Sequence, residues 1–227
     1  MAPAVKICGL MRAEDVAACC RLGAAVCGFV TEYPLRVPWN LTRRQCAALL
    51  PQVRPPAKSC IVTGGEREEI CRLALALQPD LVQLHFRETL EDTRFLVRRL
   101  APHGIGVIKT IPTSADERLR QFGTADPRRC AEALSEAGVY AVLVDARQPE
   151  NAAQGGGAAD LSLFRAVQQG AGCPVMLAGG ITPENCREIV ARAQPHMIDV
   201  MTGVELSPGV KSPERLEQLF ARMRETT

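Results

Sequence analysis

Charge of one sign is the first thing this chain has little of. Lys and Arg number 27 and Asp and Glu 25, a formal net charge of +2. So close a balance argues against a nucleic-acid or membrane surface as partner. Long apolar runs are missing as well, and no stretch is long enough to span a bilayer. The first residues reach Lys6 and Gly9 without the apolar core of an export signal, so the expected compartment is the cytosol. There is no CxxC spacing among the ten cysteines: Cys19 and Cys20 are adjacent and the others are scattered. Neither a zinc site nor a disulfide framework is expected from that pattern.

Against these absences stands ample material for a core. Hydrophobic residues make up 47% of 227 residues, enough for one large α/β domain. Cys27, Cys46, Cys60, Cys71, Cys130 and Cys186 lie among apolar neighbours and are expected to pack as small buried hydrophobes. Short apolar runs predict strands over 4–8, 25–30, 58–62, 81–84, 106–109, 139–144, 174–178 and 197–201. Amphipathic stretches predict helices over 13–22, 41–50, 66–77, 90–100, 126–137, 161–169, 183–193 and 213–224. Asn40, Thr182 and Ser212 are the expected caps of the second, seventh and eighth helices. Segment 112–125 is long and polar and is expected to be a connection.

Eight strand-helix units fill the chain with no linker between them. Strict alternation implies a parallel sheet. Eight units in one domain spanning 1–227 fit a (β/α)8 TIM barrel near the small end of its size range. A doubly wound open sheet is the alternative, but its phosphate loop normally follows the first strand. Here the glycine-rich turns follow the sixth, seventh and eighth strands, where barrels bind phosphate.

A barrel builds its active site at the C-terminal ends of its strands, so the residues there carry the chemistry. Cys8 ends the first strand, and Lys6, two residues back, points to the same side. Positive charge nearby turns a thiol into a base or nucleophile, although a buried cysteine is as often inert packing. Asp145 ends the sixth strand, where a carboxylate is costly unless it has a partner or a task. Its plain structural alternative is an ion pair or a helix cap. Together the two residues make a base and an acid facing one mouth. Gly179 and Gly180, with Gly203 and the run Gly155 to Gly157, offer backbone amides to a phosphate, helped by a helix N-terminus beyond. Arg36, in the loop after the second strand, is a candidate for a substrate carboxylate or a solvated loop residue. Gln83 and His85 end the fourth strand and are expected to be structural or to position substrate. Lys109 ends the fifth strand and is equally an anion partner or half of an ion pair. Trp39, the only Trp, is either loop packing or a cover for an aromatic ligand.

Placed in this order, the residues resemble the phosphoribosylanthranilate isomerases of tryptophan biosynthesis. The similarity is carried by Val5-Lys6-Ile7-Cys8-Gly9-Leu10, by Asp15 with Gly28-Phe29-Val30, and by Val82-Gln83-Leu84-His85. It is most specific in Leu177-Ala178-Gly179-Gly180-Ile181-Thr182-Pro183-Glu184-Asn185 and in Asp199-Val200-Met201-Thr202-Gly203-Val204-Glu205 with Pro208-Gly209-Val210-Lys211. It runs from Val5 to the last helix.

The resemblance implies a barrel enzyme that rearranges an aminoaldose to an aminoketose. It makes Cys8 the base that takes the C2 proton of the ribose and Asp145 the acid that protonates the ring oxygen. It sets Arg36 against the anthranilate carboxylate and the phosphate on loops carrying Gly156, Gly157, Gly179, Gly180, Thr202 and Gly203. Gln83, His85 and Lys109 would position the substrate. Neither a metal nor an organic cofactor is implied, and the expected partner is one phosphorylated small molecule, on a monomer or homodimer. The loop 31–40 departs from the family pattern, Phe86 follows His85 where the family has glycine, and Thr202 replaces a common Ser. The phosphate half is therefore kept and the aglycone half altered. An isomerase of another phosphoribosyl adduct, or a non-catalytic phosphometabolite-binding protein, is the alternative. A binding protein, however, has no need of an acid-base pair.

Overall fold

The computed structural model describes residues 2–146 and 157–225. Its frame is a closed ring of parallel strands in chain order: β1 (Ala4–Ile7), β2 (Val26–Val30), β3 (Lys58–Thr63), β4 (Leu81–Leu84), β5 (Gly106–Ile111), β6 (Ala141–Val144), β7 (Val175–Ala178) and β8 (Met197–Val200). The ring closes where β1 pairs with β8, with Lys6 opposite Asp199 and Ile7 opposite Val200. Strands walled on both faces must be apolar on both, and β2, β4, β6 and β7 are buried at every residue. Inside the ring, Val26, Cys60, Leu81, Ile108, Leu143 and Met176 from six strands meet in one cluster. Outside it, the opposite faces of the strands pack on the helices: Phe29, Ile61 and Val82 belong to one extended cluster with Val16, Ile70, Leu96 and Leu216.

Nine helices lie among the described residues: α1 (Ala13–Leu22), α2 (Arg43–Leu49), α3 (Arg67–Leu77), α4 (Leu90–Leu100), α5 (Ala115–Phe122), α6 (Pro127–Glu136), α7 (Leu161–Gly170), α8 (Cys186–Ala193) and α9 (Pro213–Arg224). The sequence pattern finds α1, α4 and α9 to the residue. As expected, Ser212 caps α9, its hydroxyl accepting from the Arg215 amide at 3.2 Å. The six cysteines expected in the core are buried, and all ten are free thiols.

Three local expectations are corrected. Segment 112–125 contains α5, capped by Ser114 and closed by Gly123 in the left-handed region. Its polarity hides a face of which only Arg118, Gln121 and Phe122 are buried, while Leu119 is exposed. The second helix begins at Arg43 rather than Leu41, because Leu41 bridges to Thr31 and Thr42 forms a capping box with Gln45. Asn40 instead clamps the loop, donating to the Tyr33 carbonyl and accepting from the Tyr33 amide, both at 2.9 Å. The seventh predicted helix starts at Cys186, since the Asn185 side chain accepts from the Thr182 amide at 2.8 Å and holds 182–185 as a turn. A short hairpin, β9 (Glu205–Ser207) with β10 (Val210–Lys211), follows β8 and was not foreseen. Among the described residues no helix is long and apolar enough to cross a membrane.

Helices α6 and α7 cross closely because Gly170 ends α7 there. A Cβ at that position would stand 2.2 Å from the Arg128 carbonyl oxygen. Backbone cannot yield cheaply, so Gly170→Ala is expected to lower stability by about 2 kcal/mol in urea unfolding.

Candidate active site

A cavity opens at the C-terminal ends of the strands. Its wall has two unlike halves. Gly179, Gly180, Thr202 and Gly203 line one end, and Val30, Tyr33, Val37, Trp39 and Val62 the other. Between them stand Cys8, Gln83, His85, Asp145 and Asp199.

Cys8 is 5% exposed and follows β1, its amide donating to the Val200 carbonyl at 2.9 Å. Gly28 on β2 makes room for it: a Cβ there would stand 3.0 Å from Sγ of Cys8 and 3.2 Å from Cε of Lys6. Lys6 itself is wholly buried and donates to Oδ2 of Asp199 at 2.5 Å. Burial works against its charge, but Asp199 and the neighbouring thiols Cys8 and Cys60 outweigh that, so Lys6 is held protonated. The Cys8 thiol is pushed up by burial; the Lys6 charge and hydrogen bond pull the other way without overcoming it.

Asp145 lies just past β6, three places around the ring from β1 by way of β7 and β8. Its carboxylate is 13% exposed, and Oδ2 is 3.6 Å from Nε2 of His85. The Tyr33 hydroxyl donates to the His85 carbonyl at 2.7 Å, which joins the loop after β2 to the end of β4. Two buried acceptors on the wall, Oε1 of Gln83 and Oδ1 of Asp199, have no hydrogen-bond partner among the described residues. Such atoms are expensive unless a ligand supplies the donor.

The glycine end is built by close approach. Gly179 has φ +109°, a conformation that excludes ordinary side chains, and a Cβ on it would lie 2.7 Å from Cβ of Ala146 and 3.1 Å from the Gly157 carbonyl. At Gly203 a Cβ would lie 1.9 Å from the Ile181 carbonyl. The loops after β6, β7 and β8 therefore converge with their backbones bare, as an anion cradle requires. Gly157 touches this cradle from the outside without lining the cavity, and Gly156 lies outside the described residues.

Two expected site residues sit elsewhere. Arg36 is exposed and does not line the cavity. The loop folds over so that Trp39, 3% exposed, takes the wall instead. Lys109 is 0% exposed and bonds Oε2 of Glu88 at 3.2 Å and Oε1 of Gln121 at 3.1 Å, away from the wall. It is the internal partner of Glu88 rather than a ligand group. Glu32, an acidic residue of the same loop, also points away, pairing with the Arg43 guanidinium at 3.3 Å on the surface. Sequence reasoning missed Asp199 and the Glu205–Lys211 pair at 2.8 Å. The same signal that found Asp145, an acid closing an apolar strand, applied to Asp199 as well. Among the described residues no three His, Cys, Asp or Glu side chains gather as a metal-holding cluster.

Comparison with known proteins is consistent along the whole chain. Residues 5–222 match the family described as PRAI, N-(5'-phosphoribosyl)anthranilate (PRA) isomerase. An N-(5'-phosphoribosyl)anthranilate isomerase of Thermosynechococcus vestitus is 33% identical over 97% of this chain and 89% of its own. The crystal structure of the phosphoribosyl anthranilate isomerase from Thermus thermophilus superposes with a TM-score of 0.79 at 30% identity, over 99% of this chain and 100% of that one. A further phosphoribosyl anthranilate isomerase, solved in complex with reduced 1-(o-carboxyphenylamino)-1-deoxyribulose 5-phosphate, shares the fold with a TM-score of 0.76 at 24% identity, over 98% and 99%.

If Lys109 serves Glu88 and not a ligand, Lys109→Met leaves the buried Glu88 carboxylate without its cation, held only by the Gly65 and Phe86 amides. Unfolding free energy is expected to fall by about 3 kcal/mol while calorimetric affinity of the cavity for inorganic phosphate stays unchanged.

Proposed function

The chain belongs to the N-(5'-phosphoribosyl)anthranilate isomerase family and is an aldose-ketose isomerase of that type, and from this premise we propose that Cys8 and Asp145 carry its proton transfers. The observation that supports them is their meeting on one wall between a phosphate-type cradle and an apolar end.

With the phosphate on the amides around Gly180 and Gly203, the ribose spans the middle of the cavity. Asp145 gives its proton to the ring oxygen as the C1–O bond breaks, and the nitrogen lone pair closes a C=N bond. That iminium acidifies C2. The Cys8 thiolate then takes the C2 proton, and its bonding electrons form the C1=C2 double bond and neutralise the iminium. The enolamine so formed loses its C2 hydroxyl proton and gains one at C1 to give the ketone, so that the ring has opened, two hydrogens have moved to C1 and the former ring oxygen, and no group has left. The lone acceptors on Gln83 and Asp199 suit ribose hydroxyls, which bring the donors these atoms lack. Lys6 keeps positive charge beside the sulfur, which favours the thiolate against the cost of burial. The reducing cytosol suits a chain of ten free thiols.

Turnover of N-(5'-phosphoribosyl)anthranilate, followed by loss of substrate fluorescence, is the direct test. Cys8→Ala and Asp145→Asn, checked as folded by circular dichroism, are each expected to cut kcat by about 10³-fold. Near-normal rates in either would remove that residue from the mechanism.

The pH profile follows from the raised Cys8 thiol. Below its pKa the thiolate share grows about tenfold per pH unit, so in Asp145→Asn, where no carboxylic acid titrates against it, log kcat/KM is expected to rise with unit slope through neutrality. A profile flat from pH 6 to 8 in that variant would contradict a thiolate base.

A further inference from the structure

We propose that Trp39 is the specificity-determining residue of the aglycone half, holding the substrate's aryl ring by aromatic contact and leaving its carboxylate without a cationic partner. The proposal rests on the isomerase function above and specifies how that site selects its substrate.

The apolar end of the cavity is made for a ring. Trp39 is nearly fully buried, yet it forms wall together with Val30, Tyr33 and Val62. A ring packed among such side chains gains buried area and an offset or edge-on aromatic contact. Trp39 is also fixed in orientation, by a hairpin near the far end of the chain. Its indole N–H donates to Oε1 of Glu205 at 2.9 Å. The same oxygen accepts from Nζ of Lys211 at 2.8 Å and from the Gly209 amide at 3.2 Å. The hairpin β9–β10, which also reaches Asp15 through the Lys211 amide and the Met201 carbonyl through Lys211 Nζ, thus holds in place one side chain of a loop far away in sequence.

The charges of the wall point the same way. Among the described residues no Lys or Arg lines the cavity, whereas Asp145 and Asp199 do. Arg36 is exposed and off the wall. An aryl carboxylate turned into this end would be buried among apolar side chains, with no Lys or Arg among the described lining residues to meet it, which is unfavourable. The ring therefore enters the apolar end with its carboxylate turned to the mouth and to water. Discrimination against aryl amines that lack the carboxylate is then weak.

The test compares ribose 5-phosphate adducts of anthranilate and of aniline on the wild type, Trp39→Ala, Trp39→Phe and Arg36→Ala. The wild type is expected to convert both adducts with kcat/KM values within about tenfold of each other. Trp39→Ala is expected to lose about 30-fold on both, chiefly in KM, with Trp39→Phe restoring most of it and Arg36→Ala within about twofold of wild type. A loss confined to the anthranilate adduct in Arg36→Ala, or a neutral Trp39→Ala, overturns the proposal. Failure of the wild type on both adducts contradicts the isomerase function instead. A second readout then still decides on Trp39, because it is the only Trp in the chain. Its emission is expected to be quenched by the reduced product, 1-(o-carboxyphenylamino)-1-deoxyribulose 5-phosphate, at saturation fixed by calorimetry. Unchanged emission at saturation overturns the proposal.

Discussion

One buried ion pair, Lys6 with Asp199, lies on the seam where the barrel closes. The two residues are 193 positions apart and face each other in the β1–β8 register at 2.5 Å. Lys6 is fully buried and Asp199 only 6% exposed, so each charge depends on the other. The seam decides the chemistry as well as the closure. It sets Cys8 next to the end of β8, so the thiol and the glycine turn at Gly203 share one cavity. The same Lys6 that satisfies Asp199 also opposes the burial that raises the Cys8 thiol. Structure and reactivity thus draw on a single cation, and its surroundings leave no room for a larger neighbour at Gly28.

From that seam the cavity is polarised along its length. Backbone amides crowd one end because Gly179 and Gly203 allow carbonyls and loops within distances no side chain tolerates. Valines and two aromatics close the other end, where water would otherwise enter. Cys8 and Asp145, the proposed base and acid, stand between the two ends. A phosphosugar joined to an aryl amine has the same sequence of parts. In the proposed reaction the ends fix its orientation and the centre performs the proton transfers.

How far the sequence foretold this varies with the kind of force involved. The eight strands were legible because they are walled on both faces, which demands apolar runs, unbroken at 141–144 and 175–178 and interrupted at 81–84 only by Gln83. The glycine turns were legible because no other residue serves there. Helix α5 was not, since its buried face includes Arg118 and Gln121, whose stems and hydrogen bonds rather than hydrophobicity hold it down. Lys109 was ambiguous because its partner Glu88 lies beyond the end of β4, and only the fold brings them together. The loop 31–40 was the hardest. Its shape depends on the Asn40 clamp, on the Tyr33 bond to the His85 carbonyl, and on Glu205 reaching Trp39 from the far end of the chain. None of these contacts leaves a periodic trace.

The central claim is that the Cys8 sulfur takes the C2 proton while Asp145 opens the ring. Single-turnover kinetics with substrate deuterated at C2 tests it most directly. A primary isotope effect is expected in the wild type, growing when Cys8→Ser makes proton abstraction slower and shrinking when Asp145→Asn makes ring opening the slow step. An isotope effect that is the same in all three proteins would contradict this division of labour.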